Sequence, residues 1–283
     1  MSDATALSLA DPANGFIAPR PGAAARRVLR ACAWHVMPWL LPVALYALWS
    51  AGCARGWIAP QILPPPERVY QTFVDLARDG DLASNTLISL QRVLVGFGFG
   101  TVAGFLLGAA LGLSPTLEAY VLPGFNAVVQ VPVLGWLPFL LLVVGVGEPL
   151  KYILIAHAAL VPMTLGTLQG FREAPAPLDE VARVIGYTRW QRIVYVVLPA
   201  AVPVLATSVR LAFTKAWLAL VVVELVASSA GLGYLIVYGR QLFQLDLVMA
   251  SVVMVGLIGF LINRLFDLLE ARLRRGQPAA FHA

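Results

Sequence analysis

Arg210, Thr214, Trp217, Val221 and Glu224 follow one another at three- and four-residue steps inside an otherwise apolar run, residues 193–226. That spacing puts them on one face of a helix. Exposing arginine or glutamate to lipid costs about 2.5–3.5 kcal/mol per residue on insertion scales, so the face is expected to meet protein or a water-filled path. Two readings stay open. Arg210 and Glu224 pair with other helices, or Arg210 and Trp217 line a route for an anion. Lys215 lies off this stripe. His157, Thr164 and Thr167 form a second polar stripe in residues 150–170, where His157 is either a packing residue or part of a pathway. Gln130 and Trp136, in a proline-broken run, complete the pathway candidates.

None of these residues is arranged to break bonds, so no catalytic residue is assigned. The three histidines are His35, His157 and His282, and no metal-ligand spacing joins them to cysteine or carboxylate. The only lysines are Lys151 and Lys215; neither follows glycine, so the chain lacks a phosphate-loop lysine and is not itself an ATPase. No cofactor is expected on this chain. Cys32 and Cys53 fall near opposite ends of one expected span, roughly 30 Å apart at 1.5 Å per residue, and cannot bridge within it.

A charged island, LDEVARVIGYTRWQRIVYVVLP at 178–199, interrupts the apolar sequence. Pro175 and Pro177 precede it, as at a helix start. Leu178, Val181 and Ile185 recur at helical spacing, and Ala182 and Gly186 are small and four apart, which permits close helix contact. Periodicity alone leaves an ordinary polar loop and a docking helix equally open.

The elements that must position these residues are membrane spans. Of 283 residues, 59% are hydrophobic and 12% charged, against about 25% charged in soluble domains. The net charge of +5 comes mainly from arginines in tails and loops, which suits anionic lipid and the positive-inside rule rather than nucleic acid. Residues 1–30 read as a mobile cytoplasmic tail, not a signal peptide; 31–275 as one transmembrane domain; 276–283 as a C-terminal tail. Spans are expected at about 33–53, 87–113, 121–146, 150–170, 193–226 and 247–266. Between the first two, an amphipathic helix in residues 55–81 is expected to lie along the outer surface. Gly96, Gly100, Gly104, Gly108 and Gly112 make a packing seam. Pro123, Pro132 and Pro138 make the third span an interrupted helix, tolerated only against protein or a water-filled cavity. The fifth run is too long for a simple span, and a bend is expected at Pro199 or Pro203. Arg20, Arg26, Arg27 and Arg30 before the first span, and Arg272, Arg274 and Arg275 after the last, place both termini and the 171–192 loop in the cytoplasm.

Glu180-Val181-Ala182, Gly186 four residues on, and Val196-Val197-Leu198-Pro199 resemble the E-A-A…G…I-x-L-P signature of ABC importer permeases, with Val181 and Val196 as mild departures. Leu63-Pro64-Pro65-Pro66, Ser89-Leu90-Gln91-Arg92-Val93, Gly145-Val146-Gly147-Glu148 and Gly231-Leu232-Gly233-Tyr234 are similar to the nitrate/sulfonate/taurine/bicarbonate branch. The string Val129-Gln130-Val131-Pro132-Val133 departs from that branch's R-P-I-P-P-like pattern, which leaves the substrate open. The resemblance implies an all-α membrane protein with the type I ABC importer transmembrane fold, about six transmembrane helices and a cytoplasmic coupling helix. It assigns ATPase coupling to Asp179, Glu180, Val181, Ala182, Arg183, Gly186, Leu198 and Pro199. It further implies a second permease copy, two ABC ATPase subunits that bind ATP and Mg, an extracytoplasmic solute-binding protein, and the bacterial cytoplasmic membrane. The cargo implied is a small sulfonate-, taurine- or nitrate-like anion. A different small organic solute, or an ion-gradient secondary transporter, are the alternatives.

Overall fold

The computed structural model describes residues 23–173 and 176–275, so the first 22 residues and the tail from 276 lie outside the described residues. Every regular element described is helical. The chain divides into two compact units at residue 58, inside the single 31–275 domain expected. The first unit holds α1 (Ala23–Ala54), which begins ahead of the boundary expected at residue 31. Its apolar part is Trp39–Ala54, where Trp39, Leu41, Val43 and Leu48 are all exposed, as on a surface meant for lipid.

The second unit contains α2 (Pro66–Arg78), α3 (Asp81–Leu113), α4 (Pro115–Val129), α5 (Leu137–Val144) and α6 (Glu148–Arg172). It continues with α7 (Ala176–Val184), α8 (Arg189–Arg192), α9 (Leu198–Ala227), α10 (Leu232–Gln241) and α11 (Leu245–Arg275). Four helical segments, carried by α3, α6, α9 and α11, are long and apolar enough to cross a membrane. The broken pair α4 and α5 makes a fifth when taken as one span, and Trp39–Ala54 is a shorter apolar helix.

α6 packs along both α3 and α9. The glycine seam explains the first contact. A β-carbon at Gly104 would stand 2.6 Å from the Leu160 carbonyl oxygen, and one at Gly108 2.5 Å from that of Thr164. At Gly100 it would overlap the Ala156 carbonyl outright. Without side chains there, the two backbones approach closely at Gly100, Gly104 and Gly108. On its other flank α6 repeats the device, since a β-carbon at Gly166 would collide with the Ser208 side chain of α9. α2, the amphipathic helix, buries Val69 and packs Phe73 and Leu76 on the core; Thr72 donates to Asp246 at the start of α11 (2.8 Å).

The proline-rich third span breaks as its sequence requires. α4 ends at Val129, a tight turn occupies Val133–Trp136, and α5 leaves at 86°. Pro132 has extended backbone and no N–H to continue the ladder. The long fifth run differs from expectation. Its irregularity falls before Pro199, where Ile193–Val197 form a π-helical turn, and α9 runs on through Pro203. The reason is local. In a regular helix the Pro199 ring would strike the Tyr195 carbonyl; widening the preceding turn, so that Leu198 N–H donates to Ile193, relieves that clash.

Candidate functional site

α3, α6 and α9 meet in a set of charges at the N-terminal end of α6. Arg92 of α3 is buried and grips Glu148 of α6 with two parallel bonds, Nε to Oε2 at 2.8 Å and Nη2 to Oε1 at 2.6 Å. Its Nη1 donates to Glu224 of α9 (2.8 Å) and to the Ala230 carbonyl (2.6 Å). Lys151 donates to Glu148 (2.7 Å). Two cations and two carboxylates thus cancel. Glu224 is 0% exposed and is completed by Ser89 Oγ and by the Gly233 amide (2.9 Å), so a carboxylate from α9 caps the first turn of α10. This accounts for the Gly231-Leu232-Gly233 string. Gly231 has φ +109°, and a β-carbon there would overlap the Glu224 carboxylate; at Gly233 it would stand 2.6 Å from Glu224 Cβ. Single-partner loss from such a pair typically costs about 3–5 kcal/mol.

A cavity of about 810 Å³ opens between the broken span, α6 and α9. The break contributes Val131, Pro132, Val133 and Leu134. α6 contributes a face including His157, Val161, Leu165 and Gln169. α9 contributes Val204, Ser208, Leu211, Lys215, Leu218 and Val222, a stripe at three- and four-residue steps. The walls are therefore mostly aliphatic. Ser208 is occupied with the Val204 carbonyl (2.7 Å) and Gln169 with Glu173 (2.8 Å). Lys215 is an exposed residue of that wall with no ion pair or hydrogen bond among the described residues, and an unmatched charge at that depth of a membrane helix is costly unless water or a ligand reaches it.

The loop at the other end of α6 is built for rigidity. α7 ends in a Schellman motif: the Tyr187 amide donates to the Ala182 carbonyl (2.9 Å) and the Gly186 amide to that of Arg183 (3.0 Å). Gly186 supplies the left-handed residue, φ +89°. A β-carbon there would meet no atom of this chain within 4 Å, and the left-handed conformation by itself favours glycine at this position. Ala182 is buried, and α7 packs on the π-turn. Val181, Val184 and Ile185 are instead 54%, 89% and 67% exposed. Glu180 and Arg183 are exposed as well, and the side chain of Asp179 lies outside the described residues. α8 follows with a Thr188–Gln191 capping box.

The pathway candidates read from sequence do not converge. His157 alone lines the cavity, with Trp136 edge-on to its ring at 6.3 Å. Gln130 lies exposed within the break. Thr164 and Thr167 are fully buried against the glycine seam of α3, on a different side of α6 from the cavity wall. The Arg210–Glu224 face meets protein. Arg210 pairs with Asp267 and donates to Asn263 (3.0 Å) of α11; Thr214 turns back to the Arg210 carbonyl; Trp217 packs against Gly259; Glu224 joins Arg92. Two residues of these sites stand outside the polar stripes. Arg92 lies early in its span, where its charge among apolar residues is the available signal. Lys215 is set aside by the stripe spacing, yet it alone of the two faces' cations borders the cavity.

Residues 100–275 match the family described as binding-protein-dependent transport system inner membrane component. A Bacillus subtilis protein named provisionally as the aliphatic sulfonates transport permease SsuC is 36% identical over 83% of this chain and 85% of its own length. The nitrate import permease protein NrtB of Leptolyngbya laminosa is 32% identical over 81% of this chain and 84% of its own. A chain of the MetNI methionine ABC transporter, solved in an inward-facing conformation, superposes with a TM-score of 0.55 at 22% identity, covering 65% of this chain and 92% of that one. That likeness shows a shared fold, the type I ABC importer permease fold.

Proposed function

Because this chain belongs to the family of binding-protein-dependent transport system inner membrane components, we propose that it couples ATP hydrolysis in a separate subunit to alternating access of its cavity. It is a multi-pass membrane protein and the permease subunit of an ABC importer. In this reading two copies form the membrane core in the bacterial cytoplasmic membrane, with both termini inside. Two ATPase subunits, which hold ATP and Mg, seat α7; an extracytoplasmic binding protein delivers a small sulfonate-, taurine- or nitrate-like anion.

The observation that carries the reading is the exposed apolar stripe Val181, Val184 and Ile185 on a capped helix. Apolar side chains left outside the spans need a covering surface. Glu180 and Arg183 supply the polar rim of that docking face. A push on α7 passes through buried Ala182 to the π-turn, then through Leu198 and Pro199 into α9, whose stripe walls the cavity.

The test is reconstitution in liposomes with the ATPase and binding protein. ATP-dependent uptake of a labelled sulfonate or taurine is expected, and the double variant Val184→Asp/Ile185→Asp is expected to lose the ATPase on co-purification. Uptake by the lone chain, driven by an ion gradient without ATP, overturns the proposal.

A further inference from the structure

We propose that Lys215 holds the anionic head of the cargo, and that the cavity takes an organic anion with an apolar body rather than a bare inorganic anion. The inference rests on the importer reading above and narrows it to a substrate class.

On the helices that wall the cavity, Lys151 pairs with Glu148, Arg172 with Glu118, and Arg210 with Asp267. Lys215 has no carboxylate partner among the described residues. It lies deep in its span. Lys215 is nine residues before Glu224 on α9, and His157 nine residues after Glu148 on α6. Glu224 and Glu148 are held by the same Arg92 guanidinium. Both residues therefore stand about 14 Å along their helices from one anchor, at 1.5 Å per residue. Both line the one cavity, so an ammonium and an imidazole with no hydrogen-bond partner among the described residues share one depth. Intramembrane cations left unmatched beside a cavity are ligand-site candidates by default.

The rest of the wall decides the class of anion. Val131, Val133, Leu134, Val161, Leu211 and Leu218 offer no donors. A bare nitrate would surrender its hydration shell to one ammonium and one imidazole, which leaves most of its acceptors unsatisfied. An alkanesulfonate loses water only at its head, and each methylene gains by leaving water for the aliphatic wall. The chemistry recognised is thus an amphiphilic anion with one compact charged head.

The binding protein imposes its own selectivity, so the first measurement leaves it out. The assembled permease–ATPase complex in nanodiscs is treated with an amine-acylating reagent, and lysine labelling is mapped by mass spectrometry. Lys151 and Lys215 are the only lysines of the chain, and Lys151 is buried and ion-paired, so it serves as the reference. Saturating pentane-1-sulfonate is expected to slow Lys215 labelling at least fivefold, and nitrate or pentanol at the same concentration less than twofold. Unchanged labelling in pentanesulfonate overturns the site; equal protection by nitrate overturns the substrate class. In the full importer, Lys215→Met is expected to lower pentanesulfonate uptake at least tenfold and raise its KM, whereas Lys215→Arg stays within threefold of wild type. Uptake and KM equal to wild type in Lys215→Met also overturn the site. Wild-type uptake without Lys215 protection sinks this inference alone, whereas protection without any ATP-dependent uptake sinks the importer reading alone.

Discussion

Two of the places in the membrane part that hold cations are built on opposite terms. Around Arg92 every charge is matched: the guanidinium forks onto Glu148, reaches Glu224 and a carbonyl, and Lys151 completes the neutral quartet. In the cavity, Lys215 stands among aliphatic walls with no partner among the described residues. The first arrangement uses its charges to join α3, α6, α9 and α10. The second keeps its capacity free. The contrast teaches that charge inside a membrane helix does not by itself mark a transport route; its state of satisfaction does.

Substitutions test that distinction. The largest effect is expected from Arg92→Ala, which strands Glu224 and should cost about 3–5 kcal/mol. Thermal unfolding of the purified chain in detergent reads this, and a neutral result would erase the contrast. Next comes Gly104→Leu in the seam beneath the quartet. Overpacking against the α6 backbone should cost about 1–3 kcal/mol in the same assay. Gly186→Ala is expected to be milder, about 1–2 kcal/mol, from forcing a side chain into the left-handed region. Faster hydrogen exchange at the Tyr187 amide checks it, and Gly186→Asn should be less affected. The smallest effect belongs to Lys215→Met, whose unfolding temperature should match wild type or rise, because no bond is lost. A marked fall would mean that Lys215 is structural and would merge the two regions into one kind.

Much of the architecture was legible because it is written in short spacings. Glycines every fourth residue from Gly96 to Gly112 announced a seam, and the prolines at 123, 132 and 138 announced the break. The partner of the seam was not legible, since α6 meets it with backbone carbonyls at Ala156, Leu160 and Thr164 and with side chains of no common type, such as Ile155 and Phe171. The site was harder. α9 carries two polar stripes, one through Arg210 and Glu224 and one through Ser208 and Lys215, and periodicity cannot say which faces a cavity. That choice belongs to α11, whose Asp267 and Asn263 claim Arg210. Likewise His157 and Thr164 share a stripe on a helical wheel, but α3 covers one and the broken span leaves the other open. At Gly186 the small-residue spacing does not show a further requirement: its φ of +89° makes it a helix terminator.

The π-turn at Ile193–Val197 stores one residue more than a regular helix would hold. It therefore sets an angular phase. Were those residues to relax into α geometry with none removed, everything on the far side would rotate about 100° around the helix axis, one residue's share of a turn. α7 would then present its apolar stripe in a new direction relative to the wall that carries Lys215. Deleting one residue from the turn would instead straighten the helix and keep the two faces in register.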